Sequence, residues 1–323
     1  MTRTLVTGAA GFIGSNFVRH LLATTDDEIT IVDSLTYAGN ESTMIDLLQT
    51  GRVSFVQTDI CDSSAVLEVM KGHRCVVHFA AESHVDRSIA DSEVFFHTNC
   101  FGTNVVMDSA RKCEVERIVH IGTDEVYGSI ETGSSLETDP LDPRSPYSAS
   151  KAGSDLIASA YFHTFGLPVM ITRCTNNFGP FQYPEKAIPL FATNLMTNRN
   201  VPLYGDGLHQ RDWLYVDDHC SGVSLVLQSG EPGEIYNIGA GNETRNIDLV
   251  RMLLEILGLD ESRIEHVADR PGHDRRYSVD TSKINALGWA RRFSVQSALA
   301  TTVEWYAQNE WWWGPLRSKK GAT

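Results

Sequence analysis

The sequence TLVTGAAGFIG, residues 4–14, decides the fold that we expect for this chain. Residues 4–7 form a short apolar strand, and glycines follow at Gly8, Gly11 and Gly14. A helix that extends to about Ala23 begins directly after this turn. Strand, glycine turn and helix in this order are typical of a dinucleotide-binding unit, in which a pyrophosphate lies over the helix N-terminus. The spacing is GxxGxxG instead of GxGxxG, so a plain turn with close helix packing is the alternative.

A second strand, residues 29–32, ends at Asp33, nineteen residues after Gly14. A carboxylate at this strand end can accept hydrogen bonds from both adenosine ribose hydroxyls, and it repels a 2′-phosphate. The residues that follow, Ser34, Leu35 and Thr36, include no arginine or lysine that would bind such a phosphate. The pattern therefore predicts NAD as the cofactor in preference to NADP, with a simple turn role for Asp33 as the alternative.

The third strand, residues 53–57, leads to Asp59, for which two interpretations are open. Its carboxylate either pairs with the adenine amino group or belongs to a loop before a helix that Asp62 or Ser63 caps.

The fourth strand, residues 75–79, runs into Ala80 and Ala81, whose small side chains let a cofactor lie close to the backbone. The next helix is expected over residues 92–112, and its Thr98 would face the cofactor.

Polar side chains also follow the strand predicted at residues 117–121, in the order Thr123, Asp124, Glu125. Ligands bind at the carboxyl edge of an open α/β sheet, so we expect these three side chains in the site.

A helix that begins at Ser145 and Pro146 carries Tyr147 and Lys151, which lie four residues apart and therefore on one face. An ammonium group beside a phenol favours the phenolate, so we expect Lys151 to lower the pKa of Tyr147 from about 10 toward working pH. Tyr147 would then act as general base toward a sugar hydroxyl. Most such pairs lie on a helix surface, but the nucleotide fold and the two acids favour catalysis here.

The alternation of strands and helices up to Pro180 predicts an α/β fold with a Rossmann-type, doubly wound parallel sheet. We expect residues 1–180 to form an NAD-binding domain, with sheet and helix contributions from residues 210–245. Residues 181–323, richer in proline, would form most of a smaller, mixed C-terminal lobe that binds substrate. The tryptophans at residues 311–313 are expected to pack a closing helix or an interface.

Several polar residues of the second half suggest a clamp for a nucleotide diphosphate. Asn176 and Asn177 lie in a polar loop that either holds an amide or diphosphate or is a simple turn. Tyr204 can stack on a base, and the guanidinium of Arg211 can bind phosphate. A basic cluster at residues 269–276 stands out in this acidic chain. Solvated loops are the alternative for both late segments.

Composition excludes several classes of protein. The chain has 323 residues, 42% hydrophobic and 21% charged, as a soluble globular protein does, and its net charge of −14 argues against binding to nucleic acid or anionic membranes. Its six cysteines form no CxxC pair, so we expect buried, reduced thiols, no metal site and a cytoplasmic location. We recognise neither a signal peptide nor an apolar run of membrane-spanning length.

Over essentially its whole length the chain resembles the extended short-chain dehydrogenase/reductase superfamily and, within it, the dTDP-glucose 4,6-dehydratase family. The matching segments are GAAGFIG at 8–14, DSLTYAGN at 33–40, AAESHVDR at 80–87, TDEVYG at 123–128, YxxxK at 147–151, NNxGP at 176–180, RDWLYVDD at 211–218 and RPGHD at 270–274. The Thr-Asp-Glu triplet is the most selective, because sugar-nucleotide epimerases usually have small residues at the positions of Asp124 and Glu125.

The resemblance implies a complete reaction on dTDP-glucose. Tyr147 as base and NAD as hydride acceptor would oxidise C4, after which Glu125 removes the C5 proton and protonated Asp124 donates to the departing C6 hydroxyl. Thr123 would polarise the C4 oxygen. Return of the hydride to C6 gives dTDP-4-keto-6-deoxyglucose, the first step toward deoxysugars, and regenerates NAD.

The resemblance also implies the residues that contact each ligand, and a homodimer joined through helices around residues 92–112 and 147–165. Substrate contacts would be Ser83, Thr123, Asn176, Lys186, Pro202, Tyr204, Arg211, Asn246, Arg270 and His273. Cofactor contacts would be Gly8, Gly11, Phe12, Ile13, Gly14, Asp33, Ser34, Leu35, Thr36, Asp59, Ile60, Phe79, Ala80, Ala81, Ser83, Thr98, Tyr147, Lys151 and Asn177.

Two rival functions are weighed against this one. A nucleotide-sugar 4-epimerase or decarboxylase of the same superfamily would share the cofactor and Tyr147, but Asp124 and Glu125 argue against it. A non-catalytic NAD-binding regulator would share the fold, and the intact pair of Tyr147 and Lys151 argues against that.

Overall fold

A computed structural model describes residues 2–269 and 273–319 of the chain. Its strands, in chain order, are β1 (Arg3–Thr7), β2 (Glu28–Asp33), β3 (Val53–Gln57), β4 (Cys75–His78), β5 (Arg117–Thr123), β6 (Val169–Cys174), β7 (Asn176–Phe178), β8 (Val201–Tyr204), β9 (Gln210–Tyr215), β10 (Ile235–Ile238), β11 (Glu243–Arg245) and β12 (Ile264–Val267). The first five strands follow the sequence prediction to within about two residues at each end.

The α-helices, in chain order, are α1 (Phe12–Thr24), α2 (Ile45–Leu48), α3 (Ser63–Met70), α4 (Val85–Ala90), α5 (Glu93–Phe96), α6 (Thr103–Lys112), α7 (Pro146–Phe165), α8 (Ala187–Met196), α9 (Val216–Ser229), α10 (Asn246–Leu257), α11 (Ser282–Ala286), α12 (Val295–Gln308) and α13 (Glu310–Lys319). A π-helical segment, His97–Gly102, joins α5 to α6, so the single helix predicted over residues 92–112 is interrupted. The prediction missed this because a π segment keeps the apolar pattern of a helix while changing its turn.

Helix α7 has the ends that its sequence predicts. The hydroxyl of Ser145 accepts the Ser148 N–H at 3.1 Å, and Pro146 occupies the first helical position, where its missing N–H costs nothing. Gly166 ends the helix in the left-handed conformation, with φ of 69°. These local signals fix where α7 begins, and therefore the position of Tyr147 in its first turn.

The main sheet has the strand order β3-β2-β1-β4-β5-β6-β10, and every neighbouring pair is parallel. The chain moves outward from β1 to β3 and then returns to continue from β4 on the other side. The predicted α/β, doubly wound architecture is therefore confirmed. The direction of winding reverses between β1 and β4, and in such sheets this switch point is the crevice where a ligand binds.

Apolar side chains cover both faces of this sheet. On one face Phe17 of α1 and Val223 of α9 pack on strand residues such as Ile31. On the other face Val106 of α6 and Ala158 of α7 belong to a second core. Burial on both faces explains why the strands read as continuous apolar runs.

The C-terminal part of the chain adds a three-stranded sheet, β11-β9-β7, and a two-stranded pair, β12-β8. Asn176 and Asn177 therefore lie in strand β7, which pairs with β9, and their prediction as a loop is wrong. Strand β10 lies at the edge of the main sheet, within the contribution expected from residues 210–245. The division of the chain at residue 180 stays a prediction.

Helix α13 closes the molecule with its tryptophans. Trp312 and Trp313 are buried, whereas Trp311 is exposed. The indole N–H of Trp312 donates to the hydroxyl of Thr43 at 3.1 Å, which ties the C-terminus to the segment after β2. The expected packing of a closing helix is confirmed.

The cysteines are all free, as expected, but only Cys174 and Cys220 are buried. Among the described residues, no helix is long and apolar enough to cross a membrane.

Candidate active site

The turn after β1 is formed by backbone alone. Gly8 has φ of +74°, and a Cβ atom there would lie 2.5 Å from the backbone nitrogen of Ala80, which follows β4. A Cβ on Gly14 would lie 2.6 Å from the carbonyl oxygen of Gly8. Side chains are therefore excluded from both positions, and the first turn of α1, with Phe12 and Ile13, carries neither an acidic residue nor a capping side chain.

Asp33 lies where the sequence placed it, at the end of β2 beside the glycine turn. Its Oδ2 accepts the Ala10 N–H at 3.0 Å, and its Oδ1 accepts the Leu35 N–H at 2.8 Å. Burial raises the pKa of Asp33, and these two backbone hydrogen bonds oppose that rise. The carboxylate is thus held in a fixed position at the end of β2, beside the glycine turn.

The remaining predicted cofactor residues differ in how they are placed. Asp59 is exposed and accepts the Cys61 N–H at 2.8 Å. Asp62 caps α3 through the N–H groups of Ser64 and Ala65. Asp59 therefore lies in the loop before the capped helix, as the second of its two interpretations describes. Ile60 is buried beneath the π segment that carries Thr98. The other residues lie after β2 (Ser34, Leu35 and Thr36), after β4 (Phe79, Ala80, Ala81 and Ser83), and in β7 (Asn177).

Thr123 ends β5, and Asp124–Tyr127 forms a 3₁₀ turn directly after it, which we call the acid turn. The Thr123 hydroxyl accepts the Glu125 N–H and donates to Asp124 Oδ1, both at 3.3 Å. Asp124 is 3% exposed, and no described group hydrogen-bonds its Oδ2. Burial, and then the charge of Glu125, raise the pKa of Asp124 well above its usual value. Burial therefore favours the acid form of Asp124.

Tyr147 and Lys151 lie on the face of α7 that adjoins this turn. The Lys151 ammonium, 5% exposed, donates to the carbonyl oxygen of Ile121 at 2.6 Å. Burial raises the pKa of Tyr147 well above its usual value, followed by the charge of Glu125, and the hydrogen bond with Thr123 opposes the rise. In this structure the pKa of Tyr147 is raised, whereas its spacing from Lys151 predicted a lowered pKa.

The physical reason lies in what surrounds each group. Lys151 is engaged by a carbonyl of β5, and burial lowers its own pKa. Burial disfavours the Tyr147 phenolate most, and the neighbouring Glu125 adds to this effect. Sequence spacing showed the lysine and not the burial.

Two predicted substrate residues bridge the C-terminal lobe and the sheet edge. The Lys186 ammonium, at the start of α8, donates to the Ser83 hydroxyl at 3.2 Å. Arg211 is buried, and it donates to the backbone carbonyls of Asp274 and Arg275, at 2.8 and 3.4 Å. Its charge also lowers the pKa of Asp124. Arg211 therefore holds the backbone of Asp274 and Arg275, and its charge also acts on the acid turn.

His273 belongs to a cluster with Asp269 and His209 in the C-terminal lobe. Its Nδ1 is 2.6 Å from Asp269 Oδ1, and its ring stacks on His209 at 3.7 Å with an angle of 14°. Nε2 of His209 is 3.4 Å from the same carboxylate. Both imidazoles therefore lie within hydrogen-bonding or ion-pairing range of one carboxylate.

The other predicted substrate residues surround this cluster. Tyr204 is partly exposed, with its ring 6.0 Å from that of His273, and Pro202 lies in the same strand, β8. Asn246 begins α10, and its N–H donates to the His209 carbonyl at 2.9 Å. Asn176 lies in β7, and Arg270 lies outside the residues that the structure describes.

Sequence reasoning missed three buried residues beneath the catalytic side chains: Tyr127, Asp155 and Arg173. Arg173 Nε donates to Asp155 Oδ2 at 2.9 Å, and Arg173 Nη1 donates to the Tyr127 hydroxyl at 2.8 Å. Asp155 was within reach of the sequence, because it lies four residues after Lys151 on the same helix face.

A doubly wound sheet with a glycine turn at its switch point and a Tyr–Lys helix beside it defines a short-chain dehydrogenase/reductase class of enzyme. The family model for GDP-mannose 4,6 dehydratase matches residues 5–302. A dTDP-glucose 4,6-dehydratase from Streptomyces niveus is 49% identical, over 99% of this chain and 97% of its own. The chain therefore belongs to the nucleotide-sugar 4,6-dehydratase family of this model, together with the dTDP-glucose enzymes.

Solved structures agree with this assignment. DesIV, a dTDP-glucose 4,6-dehydratase from Streptomyces venezuelae solved with NAD and TYD bound, has a TM-score of 0.96 and 53% identity and covers 98% of this chain and 100% of its own. A UDP-glucose 4-epimerase from Thermus thermophilus, solved with NAD, has a TM-score of 0.89 and 30% identity over 95% of this chain and 100% of its own. The fold is thus shared with epimerases, and the site must distinguish the reactions.

Proposed function

We propose that this protein is a dTDP-glucose 4,6-dehydratase that converts dTDP-glucose to dTDP-4-keto-6-deoxyglucose with NAD as a recycled cofactor. The observation that carries the proposal is the acid turn beside Tyr147. Asp124 is buried, which raises its pKa and favours its acid form, and Glu125 adjoins it, so the two carboxyl groups can serve as acid and base next to the phenol. An epimerase needs no such pair, whereas removal of water from C5 and C6 needs both.

The residues at the switch point suit NAD. A Cβ atom on Gly8 or Gly14 would collide with backbone, so these glycines let the turn pack closely and place the N-terminus of α1, which suits a pyrophosphate, at the switch point. Asp33 offers a fixed carboxylate to the adenosine ribose, and the residues that follow it in sequence, Ser34, Leu35 and Thr36, include no lysine or arginine for a 2′-phosphate. When bound, NAD supplies the chemistry of hydride acceptance at C4 and of hydride return to C6.

The catalytic side chains divide the proton transfers among them. Tyr147 would take the proton of the C4 hydroxyl as its phenolate. Because burial raises the pKa of Tyr147, this phenolate needs nearby positive charge, which the buried Lys151 ammonium and the nicotinamide ring of bound NAD would supply. Glu125 removes the C5 proton, which the C4 ketone makes acidic. Asp124 donates its proton to the C6 hydroxyl, which leaves as water. Lys151 holds its positive charge beneath the phenol.

We assign the C-terminal lobe, mostly residues 181–323, to the nucleotide diphosphate. The Lys186–Ser83 contact places an ammonium at the sheet edge. Arg211, Asn246 and His273 lie on the side of the partly exposed Tyr204 ring, which offers a stacking surface for the base.

The first experiment is mass spectrometry of the purified protein incubated with dTDP-glucose and no reductant. A product lighter by one water, without net NADH, is the expected result. A sugar isomer of unchanged mass would instead indicate an epimerase and contradict the proposal.

We also propose a homodimer through α7 and its neighbours. Exposed apolar side chains surround α7: Phe96 on α5, Phe101 in the π segment and Leu156, 62% exposed, on α7 itself. A single polar substitution, Leu156→Glu, is expected to give a monomer in light scattering, because it places a charge in an apolar contact. Ile45→Glu is the matched control, since Ile45 is similarly exposed on α2. A Leu156→Glu protein of unchanged mass would contradict this interface.

A further inference from the structure

A buried polar chain runs beneath the active site from the base-bearing helix to the acid turn. Its centre is Arg173 on β6, which is 3% exposed. One side of its guanidinium donates to Asp155 Oδ2 at 2.9 Å, and the other donates to the Tyr127 hydroxyl at 2.8 Å. A planar guanidinium holds two partners in a fixed relative position, which a flexible ammonium cannot do.

The first partner belongs to the helix of the base. Asp155 is fully buried and lies one turn after Lys151 on α7. A Cβ on Gly122 would lie 2.9 Å from Asp155 Oδ1, so this carboxylate rests against the strand residue that precedes Thr123. The imidazole of His120 lies 3.3 Å from the same oxygen. Asp155 is therefore fixed from β5, from β6 and by its own helix.

The second partner belongs to the acids. Tyr127 is the last residue of the acid turn, three residues after Asp124. Its hydroxyl accepts from Arg173 and donates to Asn237 Oδ1 at 2.8 Å. Its ring also lies beneath the Arg173 guanidinium, 4.8 Å from it. Burial raises the pKa of Tyr127 to about 12, so the hydroxyl keeps the proton that it donates.

We propose that Arg173, with Asp155 and Tyr127, is a positioning unit that fixes the acid turn relative to the helix of Tyr147. All three residues are buried, and we infer that they act through the elements that they join. The inference rests on the proposed dehydratase function.

The two halves of that reaction depend differently on such a link. Oxidation at C4 needs Tyr147 in place, which the ends and packing of α7 secure. Elimination also needs Glu125 at C5 and Asp124 at C6 while C4 is held. An error of about 1 Å in such an alignment can cost a hundredfold in rate. Loosening the link should therefore slow elimination more than oxidation.

The test uses the purified, NAD-containing protein and two variants, Tyr127→Phe and Arg173→Lys. Tyr127→Phe removes the hydroxyl between Arg173 and Asn237. Arg173→Lys keeps the positive charge but loses the planar group that donates to two partners at once. The matched control is Tyr236→Phe, a buried tyrosine of the edge strand β10 whose hydroxyl accepts the Glu231 N–H at 2.9 Å. Arg173→Lys provides the answer should Tyr127→Phe not fold.

Two rates are measured for each protein. Loss of water from dTDP-glucose reports the complete reaction. Bound NADH formed from dTDP-6-deoxyglucose, which has a C4 hydroxyl but no C6 hydroxyl to lose, reports oxidation alone. We expect both variants to lose water roughly ten- to a hundredfold more slowly, with oxidation within about twofold of wild type and the control unchanged.

Equal losses in both rates would overturn the inference, because they would indicate general damage and not a lost alignment. An unchanged rate of water loss would overturn it as well. Wild-type protein that forms NADH but releases no water would refute the proposed function, and the inference with it.

Discussion

The dinucleotide crevice and the catalytic centre occupy the same edge of one sheet but are built in different ways. Gly8 and Gly14 contribute backbone and the absence of side chains, within a single stretch of the chain. Tyr147, Asp124 and Glu125 contribute side chains whose properties depend on segments far away, such as β6 and the C-terminal lobe. A site made by local backbone is robust to its surroundings, whereas a site made by buried charges depends on them.

The test with the largest expected effect removes the catalytic base and leaves the dinucleotide crevice unchanged. Tyr147→Phe removes only the phenol hydroxyl, so turnover of dTDP-glucose should fall by about 10²–10⁴, the usual contribution of a general base. Retention of NAD by the purified protein, measured by absorbance after denaturation, should not change. Normal turnover in this variant would refute the assignment of the base.

The converse test breaks the crevice by local means. Gly8→Ala places a Cβ 2.5 Å from the Ala80 nitrogen at φ of +74°, so the variant should lose its bound NAD and unfold more easily. Gly51→Ala is the control, because Gly51 has φ of +72° but open space around it. The backbone strain of roughly 1 kcal/mol is common to both, and only the first should release NAD. Equal NAD retention would contradict the crevice.

A third test concerns the buried acid. The folded pKa of Asp124 is raised, so its stabilising contribution is complete below its unfolded pKa and is lost as pH rises toward the folded pKa. Asp124→Asn should therefore lose most dehydratase activity yet gain thermal stability over wild type as pH rises above about 4. Thermal unfolding across pH measures this. A stability difference that does not depend on pH would contradict a protonated Asp124.

Asp155→Asn should show the opposite dependence. Burial raises the Asp155 pKa, but His120 and Arg173 outweigh it and leave the folded pKa lowered. The variant should be less stable than wild type at neutral pH, and the difference should shrink as pH falls through the folded pKa.

The smallest expected effect lies in the C-terminal lobe. His209→Ala removes the ring on which His273 stacks, so the KM for dTDP-glucose should rise several-fold with little change in kcat. His209→Phe keeps a ring and loses the contact with Asp269, so partial recovery would assign the effect to stacking. A fall in kcat alone would contradict a role in substrate binding.

Much of the fold was predictable from local signals. The first five strands, the N-terminal cap of α7 and the closing tryptophan helix follow from residues that are close together in sequence, and local backbone preferences act at that range. The π segment at His97–Gly102 and strand β7 were not predictable, because an apolar pattern does not specify the turn and an edge pairing depends on β9.

The sequence by itself determined the doubly wound sheet, the glycine turn, the position of Asp33 and the acids that follow β5. Each of these depends on neighbours in the chain. Only the tertiary structure decided that burial raises the pKa of both Asp124 and Tyr147, and that Arg173 joins α7 to the acid turn. Desolvation and charge interactions depend on burial and on distances between remote segments, and spacing along the chain does not contain them.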